Sequence, residues 1–234
     1  MSRRAPFVLV RDNVYSCTYL CRGDELSFTR LIQDEVITLR LAGKTYRTTD
    51  ACLYHCDDIL NHLDDGPRDE DGLRAIDLPW TAEEVPTAIM DWFLALRKAL
   101  VKDGLLPLLD SPDRSLRLHH PDVDGLKYLT DLARLDKLSE RLGDNTFRPS
   151  IRRAAAKLMR HVHIPQATDS ELRESAQQLN VMWAASDSFF QAWIVTKFCT
   201  AIEDVDRALA FDPPVVCPEF EEMIRRRRQS LLFN

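Results

Sequence analysis

The 234-residue sequence predicts an α+β fold, in which a small sheet capped by helices is followed by an all-helical extension. Three observations predict it. Two alternating apolar stretches flank a glycine turn at residues 36–49, and a third strand-like stretch follows at residues 74–78. Beyond residue 124, apolar residues recur at helical spacing and no strand pattern is found.

Composition and charge exclude several classes of protein. Hydrophobic residues make up 45% and charged residues 29% of the chain, an ordinary globular balance. No apolar stretch reaches the ~18 residues that span a bilayer, and the start lacks the pattern of a secretory signal. The formal net charge of −6 argues against general nucleic-acid binding. We therefore expect an intracellular protein, cytoplasmic or nuclear, with no membrane contact.

The N-terminal segment, residues 1–29, has no assigned domain. Within it, FVLV and VYSCTYL have the β-branched and aromatic content of strands. The next stretch, DELSFTRLIQD, is typical of a short helix and runs past the end of the segment.

The stretch VITLRLAGKTYRTT predicts a β-hairpin. In VITLRL, Ile37, Leu39 and Leu41 share one face, as the two-residue period of a strand requires. The residues AGK are predicted to form the turn, and TYRTT returns as the second strand. Asp50 is then predicted to start a helix over residues 51–63, whose apolar side chains recur at helical spacing.

An acidic loop, DDGPRDEDG, leads into the third strand, RAIDL. After it, Thr81 and Glu84 form a capping-box pattern, while Pro86 also suits the first turn of a helix. The helix predicted over residues 86–102 has one broad apolar stripe, formed by Ile89, Trp92, Phe93, Leu96 and Leu100. We expect this stripe to cover the sheet.

Residues 109–123 are predicted to be a linker or long loop, because they are rich in proline and scattered charge. The helical extension covers residues 124–234. Within it, Pro218 suits a first helical position, and Thr168 with Glu171 repeats the capping box. Helices are predicted at residues 124–133, 136–142, 149–161, 169–182, 187–211 and 218–231.

This order of elements resembles the BTB/POZ fold and its close relative, the Skp-type adaptor of ubiquitin ligases. VITLRLAGKTYRTT is similar to the opening hairpin of that family, and DACLYHCDDILNHL to the helix after it. DDGPRDEDGLRAIDLP resembles the acidic insertion and third strand of Skp-type members, and EEVPTAIMDWFLAL resembles the next helix. LKYLTDLARLDKL and ATDSELRESAQQLNV are similar to later helices, the second also to extensions of fungal BTB-only proteins. We assign residues 30–108 to a BTB/POZ- or Skp-like domain.

The resemblance implies a non-enzymatic protein-protein interaction adaptor. Members of the family bind other proteins through defined surfaces. These are a homodimer surface in many BTB members, a cullin-binding surface in ligase adaptors, and C-terminal helices that hold a substrate receptor. The expected partners are therefore proteins, including a second copy of the chain and a cullin scaffold. The resemblance implies no catalytic residue, cofactor or metal, and it identifies no single contact residue.

The partner-interface candidates lie in the helical extension. The helix predicted at residues 187–211 has apolar side chains on more than one stripe, so it is either central in a bundle or meets another chain. Aromatic residues and arginine are enriched at interface centres. The candidates are Phe189, Phe190, Trp193, Phe198, Arg225 and Arg226.

An alternative function is a small helical metalloprotein or enzyme that uses cysteine and histidine clusters. Cys52 and Cys56 are four residues apart, as are Cys17 and Cys21, although burial is the simpler explanation of such cysteines. The remaining candidate ligands are His55, His62, His119, His120, Asp122, Asp124, His161 and His163. No catalytic motif accompanies them.

A further alternative is a nuclear, transcription-associated factor that uses the RRRR run at residues 225–228 for import or phosphate binding. The neighbouring residues favour a simpler interpretation. Glu221 and Glu222 precede Arg225 and Arg226 by four positions, the favourable order for ion pairs on one helix. We therefore expect a solvated helix that pairs its own charges.

Overall fold

The computed structural model describes residues 3–9, 16–21, 35–53, 56, 58–59, 67–102, 115–119, 125–144, 147–162, 164, 168–200, 202–212 and 214–232. The described residues form both strands and helices, which confirms the mixed α and β content. The chain divides into two compact units. The first unit comprises Met1–Asp122 and Arg134–Ala154, and the second comprises Val123–Ala133 and Ala155–Asn234.

The first sheet is antiparallel and belongs to the first unit. Its strands are β1 (Arg3–Leu9), β2 (Ser16–Cys21) and β6 (Ser115–His119), in the order β1-β2-β6. The strand content predicted for FVLV and VYSCTYL is confirmed, whereas the short helix predicted after them lies outside the described residues. Strand β6 corrects the prediction of a linker or long loop at residues 109–123. Its sequence, SLRLH, alternates apolar and polar residues and pairs with β2.

The second sheet consists of the three segments that the sequence predicts. Its strands are β3 (Val36–Leu41), β4 (Lys44–Thr49) and β5 (Arg74–Leu78), in the order β4-β3-β5. β3 is antiparallel to β4 and parallel to β5. The hairpin turns on two residues, because Ala42 and Gly43 both have positive φ angles, 50° and 79°. Lys44, predicted to belong to the turn, is already the first residue of β4.

Helix α1 (Thr87–Lys102) carries the predicted apolar stripe. Ile89, Trp92, Phe93 and Leu96 are all buried, while the Leu100 side chain lies outside the described part of the chain. The helix is tied to the second sheet by Lys44 of β4, whose Nζ donates a hydrogen bond of 2.7 Å to the Asp91 carboxylate. The capping-box residues Thr81 and Glu84 close a separate turn before Pro86.

The helix predicted over residues 51–63 is only partly within the described residues, and its first turn differs from the prediction. Asp50–Leu53 is a 3-10 helix. The Cys56 amide donates to the Leu53 carbonyl at 2.7 Å, again an i to i+3 bond, whereas Asp58 and Ile59 are α-helical, as predicted. The side chains of Ala51, Cys52 and Leu53 in this 3-10 turn are all buried.

The helical extension has two boundaries that differ from the prediction. Residues predicted as two helices, 124–133 and 136–142, form one helix, and the helix predicted at 187–211 is divided at Cys199, whose ψ of 53° is not helical. The capping box of Thr168 and Glu171 and the N-terminal Pro218 are confirmed. The helices are α2 (Gly125–Arg141), α3 (Arg148–Met159), α4 (Asp169–Ala184), α5 (Ser188–Phe198), α6 (Ile202–Leu209) and α7 (Pro218–Leu232).

Within the described residues, none of the helices combines the length and apolarity needed to cross a membrane.

Gly143 ends helix α2 in a Schellman motif. Its amide donates to the Glu140 carbonyl at 3.0 Å, and the Asp144 amide donates to the Ser139 carbonyl at 2.8 Å. Gly143 has a φ of 73°, in the left-handed region that favours glycine. The motif turns the chain so that Asp144 points into the first unit, where its side chain has no exposed surface.

Asp144 and Arg97 form a fully buried ion pair in the first unit. Nη1 of Arg97 donates to Oδ2 of Asp144, and its Nε donates to the Cys52 carbonyl. Oδ1 of Asp144 accepts a hydrogen bond of 3.1 Å from the Phe147 amide. The guanidinium also lies 5.1 Å from the ring centroid of Phe93. This pair therefore connects α1, the 3-10 helix and the turn after α2.

Replacing Gly143 by alanine should destabilise the first unit by at least about 1–2 kcal/mol, the cost of left-handed backbone for a residue with a Cβ. The steric cost adds to this, because a Cβ at Gly143 would lie 2.9 Å from the backbone nitrogen of Asp58. Urea unfolding followed by circular dichroism measures the loss. Gly72→Ala is the control for backbone conformation alone, since Gly72 has a φ of 76° but nothing near its Cβ position. Equal losses in the two variants would contradict the predicted steric contribution.

Candidate partner-binding face on helix α5

Helix α5 is positioned by its N-cap and by two neighbouring helices. The Asp187 side chain accepts a hydrogen bond of 3.0 Å from the Phe189 amide, which satisfies one of the free donors of the first turn. In the second unit, α4 contacts α5 and α6, and α7 contacts the same two helices. The four helices thus form a closed set of neighbours, and α5 has one side turned toward them.

Two of the predicted interface aromatics are core residues. Phe190 and Phe198 have 0% exposed surface, together with Ile194 on the same side of α5. This corrects their assignment as partner contacts. Apolar residues of α5 lie on all sides of the helix, so its sequence does not indicate which side is buried. Tertiary packing selects the side that carries Phe190 and Phe198.

An aromatic cluster fixes the buried side of α5 against α7. The Phe198 and Phe220 rings lie 6.0 Å apart, and Phe220 stacks on Trp183 of α4 at 4.7 Å and an interplanar angle of 16°. Offset stacking of this kind adds to the stabilisation from buried apolar area. The cluster therefore sets which residues of α5 remain outside the core.

The other two aromatics, Phe189 and Trp193, remain partly exposed. They are four residues apart, so they lie on one side of α5, where Ala192 and Thr196 are exposed. We call Phe189 and Trp193 with these two small residues the α5 face. The Phe189 ring packs edge-on against Phe190 at 5.1 Å, which orients it from the core side. Partly exposed aromatic side chains suit contact with another polypeptide.

Arg225 and Arg226, the two arginines predicted as interface residues, form ion pairs with carboxylates of their own helix. Nε of Arg225 donates to Glu221 at 3.0 Å, and Nε of Arg226 donates to Glu222 at 2.9 Å. These pairs confirm the predicted i, i+4 pattern on α7. Both arginines are exposed, so each pair contributes little to stability.

The last arginine of the run connects α7 to α6. Nη2 of Arg228 donates to Oδ2 of Asp206 at 3.1 Å. The hydrogen bond from Arg228 lowers the pKa of Asp206, and the same bond raises the pKa of Arg228. Three of the four arginines are thus paired with acids, which does not favour the phosphate-binding interpretation of the run.

The two cysteine pairs lie in different kinds of secondary structure. Cys52 and Cys56 are buried, and the Thr49 hydroxyl donates to the Cys52 sulfur at 3.4 Å. Cys17 and Cys21 lie on strand β2, where four residues span ~13 Å rather than one helical turn. Within the described residues, no group of three or more His, Cys, Asp or Glu side chains could hold a metal ion.

The histidine candidates are not brought together in the described residues. His119 ends strand β6 and His161 is exposed after α3. The other candidates of this kind lie outside the described part of the chain: His55, His62, His120, Asp122, Asp124 and His163.

Cys199, at the end of α5, is a protonated core thiol at neutral pH. Burial raises its pKa to about 12, and the nearby Arg227 guanidinium offsets part of that rise. A thiol with this pKa is a poor nucleophile and a poor metal ligand, because both roles require the thiolate. The residue therefore acts in packing.

One charged surface, at the end of α3, was not predicted from the sequence. Lys157, Arg160 and His161 are exposed there. A usable signal was present in the sequence, since residues 145–168 contain no Asp or Glu in a chain with 37 acidic residues.

Comparisons of the chain with protein-family models, with curated proteins and with solved structures found no match.

Proposed function

We propose that this chain is a non-enzymatic protein-interaction adaptor built on a BTB/POZ- or Skp-like domain. The observation that carries the proposal is the second sheet. Its strands β3, β4 and β5 are the three segments whose order resembles that family, and helix α1 follows them with its apolar stripe buried. The hairpin strands are antiparallel, and the third strand joins beside the first.

The α5 face is the surface that supports partner binding best. Phe189 and Trp193 lie on a helix whose opposite side packs in an aromatic cluster, and the Phe189 ring also packs against Phe190. Rigid aromatic residues lose little conformational entropy on binding, which makes them effective contact residues. The partner is proposed to be a protein.

The resemblance supports two finer proposals about the complex. The adaptor self-associates, and it links a substrate receptor to a cullin-type scaffold of a ubiquitin ligase. Both extend the family resemblance and rest on it alone. The chain would act in the cytoplasm or the nucleus, where such complexes work.

Replacing Trp193 by alanine should leave the protein folded but abolish binding of its partner. The side chain is only partly buried, so the expected loss of unfolding free energy is about 1 kcal/mol or less, as is usual outside the core. Thermal unfolding measures stability, and light scattering after gel filtration measures the mass of the particle. Co-purification of tagged wild type and variant, with each captured protein quantified, measures partner binding.

Val181→Ala provides the matched control, because Val181 is a 51% exposed apolar residue on the neighbouring helix α4. This control should keep both the particle mass and the captured proteins of the wild type. Unfolding of Trp193→Ala would show that Trp193 is a core residue. A folded Trp193→Ala variant that keeps the full particle mass and every partner would end the proposal for the α5 face. A capture without any ligase subunit would remove the cullin link.

A further inference from the structure

The exposed cations after the middle of α3 form a continuous row in the second unit. Lys157 lies in the last turn of α3, and Arg160 and His161 follow it by three and four positions in the turn after the helix. The spiral continues past Met159, because the Arg160 amide donates to the Lys157 carbonyl at 3.4 Å and the His161 amide to the Leu158 carbonyl at 2.9 Å. We call these three residues the basic row.

The opposite side of the same segment is anchored in the core. Ala155, Met159 and Val162 are buried at 0%, 7% and 7% exposure. The ideal Cβ position of Gly125, in the first turn of α2, lies 2.8 Å from Cγ2 of Val162, so the start of α2 closely contacts the segment after α3. Lys157, Arg160 and His161 are therefore exposed beside residues that are anchored in the core.

The basic row differs from the two arginines earlier on α3 that pair with an acid. Arg148 and Arg152 both meet the Asp136 carboxylate, Arg152 at 3.1 Å. In the part of the chain that the structure describes, no carboxylate pairs with Lys157 or Arg160. Cations near the end of a helix also complement the helix dipole, but that effect leaves their outer surface open to a ligand.

We propose that the basic row is a docking surface for an acidic polypeptide segment. The inference rests on charge complementarity. The planar guanidinium of Arg160 can donate two hydrogen bonds to one carboxylate, and the ammonium of Lys157 adds a second positive charge. The row spans only ~6 Å along the helix axis, whereas duplex nucleic acid is bound through about 6–10 phosphate contacts. Anionic membranes likewise call for clusters of about 4–8 Lys or Arg.

The basic row is separate from the α5 face, so this inference does not depend on the proposed adaptor fold. The test uses the full chain and a fluorescein-labelled oligoglutamate peptide, with binding followed by fluorescence anisotropy at low and high salt. The wild type should bind, and binding should weaken as salt increases. The Lys157→Glu/Arg160→Glu variant should bind at least about tenfold more weakly, because two attractive contacts become repulsive.

The matched control is Lys98→Glu/Lys197→Glu, which changes the net charge by the same amount at positions on α1 and α5. It should retain wild-type binding, and so should Trp193→Ala. The neutral variant Lys157→Gln/Arg160→Gln should show an intermediate loss, and it provides a second test if the glutamate variant does not fold.

Three results would overturn the inference. The first is a wild-type protein that does not bind the peptide, and the second is an equal loss of binding in the two charge-reversed variants. The third is tighter binding of duplex DNA or phosphatidylserine vesicles through the same two residues, which would assign the row to another class of partner. Loss of peptide binding in Trp193→Ala would instead merge the row with the α5 face.

Discussion

Replacing Asp144 by alanine should lower the unfolding free energy of the first unit by about 3–5 kcal/mol. The fully buried guanidinium of Arg97 would lose the carboxylate that faces it, and the Phe147 amide would lose its acceptor. The Cys52 carbonyl would still accept from Arg97 but would not compensate its charge. Urea unfolding followed by circular dichroism measures the loss, and hydrogen exchange of the backbone amides shows which unit has lost protection.

Asp77→Ala is the control for Asp144→Ala, because its ion pair with Arg40 is exposed and 3.6 Å long. It should change stability by about 0.5 kcal/mol or less. The double variant Arg97→Met/Asp144→Leu should recover much of the loss, since apolar side chains of similar size avoid the cost of burying charge. A loss below about 1 kcal/mol in Asp144→Ala would show that the pair is not buried in solution.

Replacing Phe220 by alanine should cost the second unit about 3–5 kcal/mol, the range for removing a buried aromatic side chain. Phe220 has no exposed surface and lies between Trp183 and Phe198, so its removal leaves a cavity at the contact of three helices. Urea unfolding gives the magnitude. A red shift of tryptophan fluorescence at lower urea would report the loss of packing around Trp183.

Met223→Ala is the matched control on the same helix, because Met223 is 37% exposed. It should alter the unfolding free energy by no more than about 0.5 kcal/mol. In Phe220→Ala, hydrogen exchange should show reduced protection of the backbone amides in α4, α5 and α7. The amides of β3 to β5 should stay as protected as in the wild type. Similar stabilities for Phe220→Ala and Met223→Ala would contradict the aromatic cluster as the core of this unit.

Local patterns predicted much of the second sheet and of the helices. The two-residue period of VITLRL predicts its buried face, and the stripe of α1 predicts the buried side chains of Ile89 and Phe93. Capping chemistry also acts locally, so Thr168 could be predicted as the residue before α4. These predictions succeed because each depends on neighbours within a few positions.

The elements that the sequence did not predict, or predicted with other bounds, depend on contacts between residues that are distant in sequence. Strand β6 is stabilised by pairing with β2, which lies far away in sequence. The division between α5 and α6 at Cys199 occurs inside a long apolar stretch that gives no local stop signal. The ion pair of Arg97 with Asp144 likewise joins two residues whose burial no local pattern reveals.

At the candidate site too, some features follow from the sequence and others from the tertiary structure. The sequence by itself determined that α5 is rich in aromatic residues, that α7 pairs Glu221 with Arg225, and that residues 145–168 are free of acids. Only the tertiary structure decided that Phe190 and Phe198 are core while Phe189 and Trp193 reach the surface. A helix that is apolar all round has no preferred buried side, so its orientation is set by the aromatic rings of the helices around it.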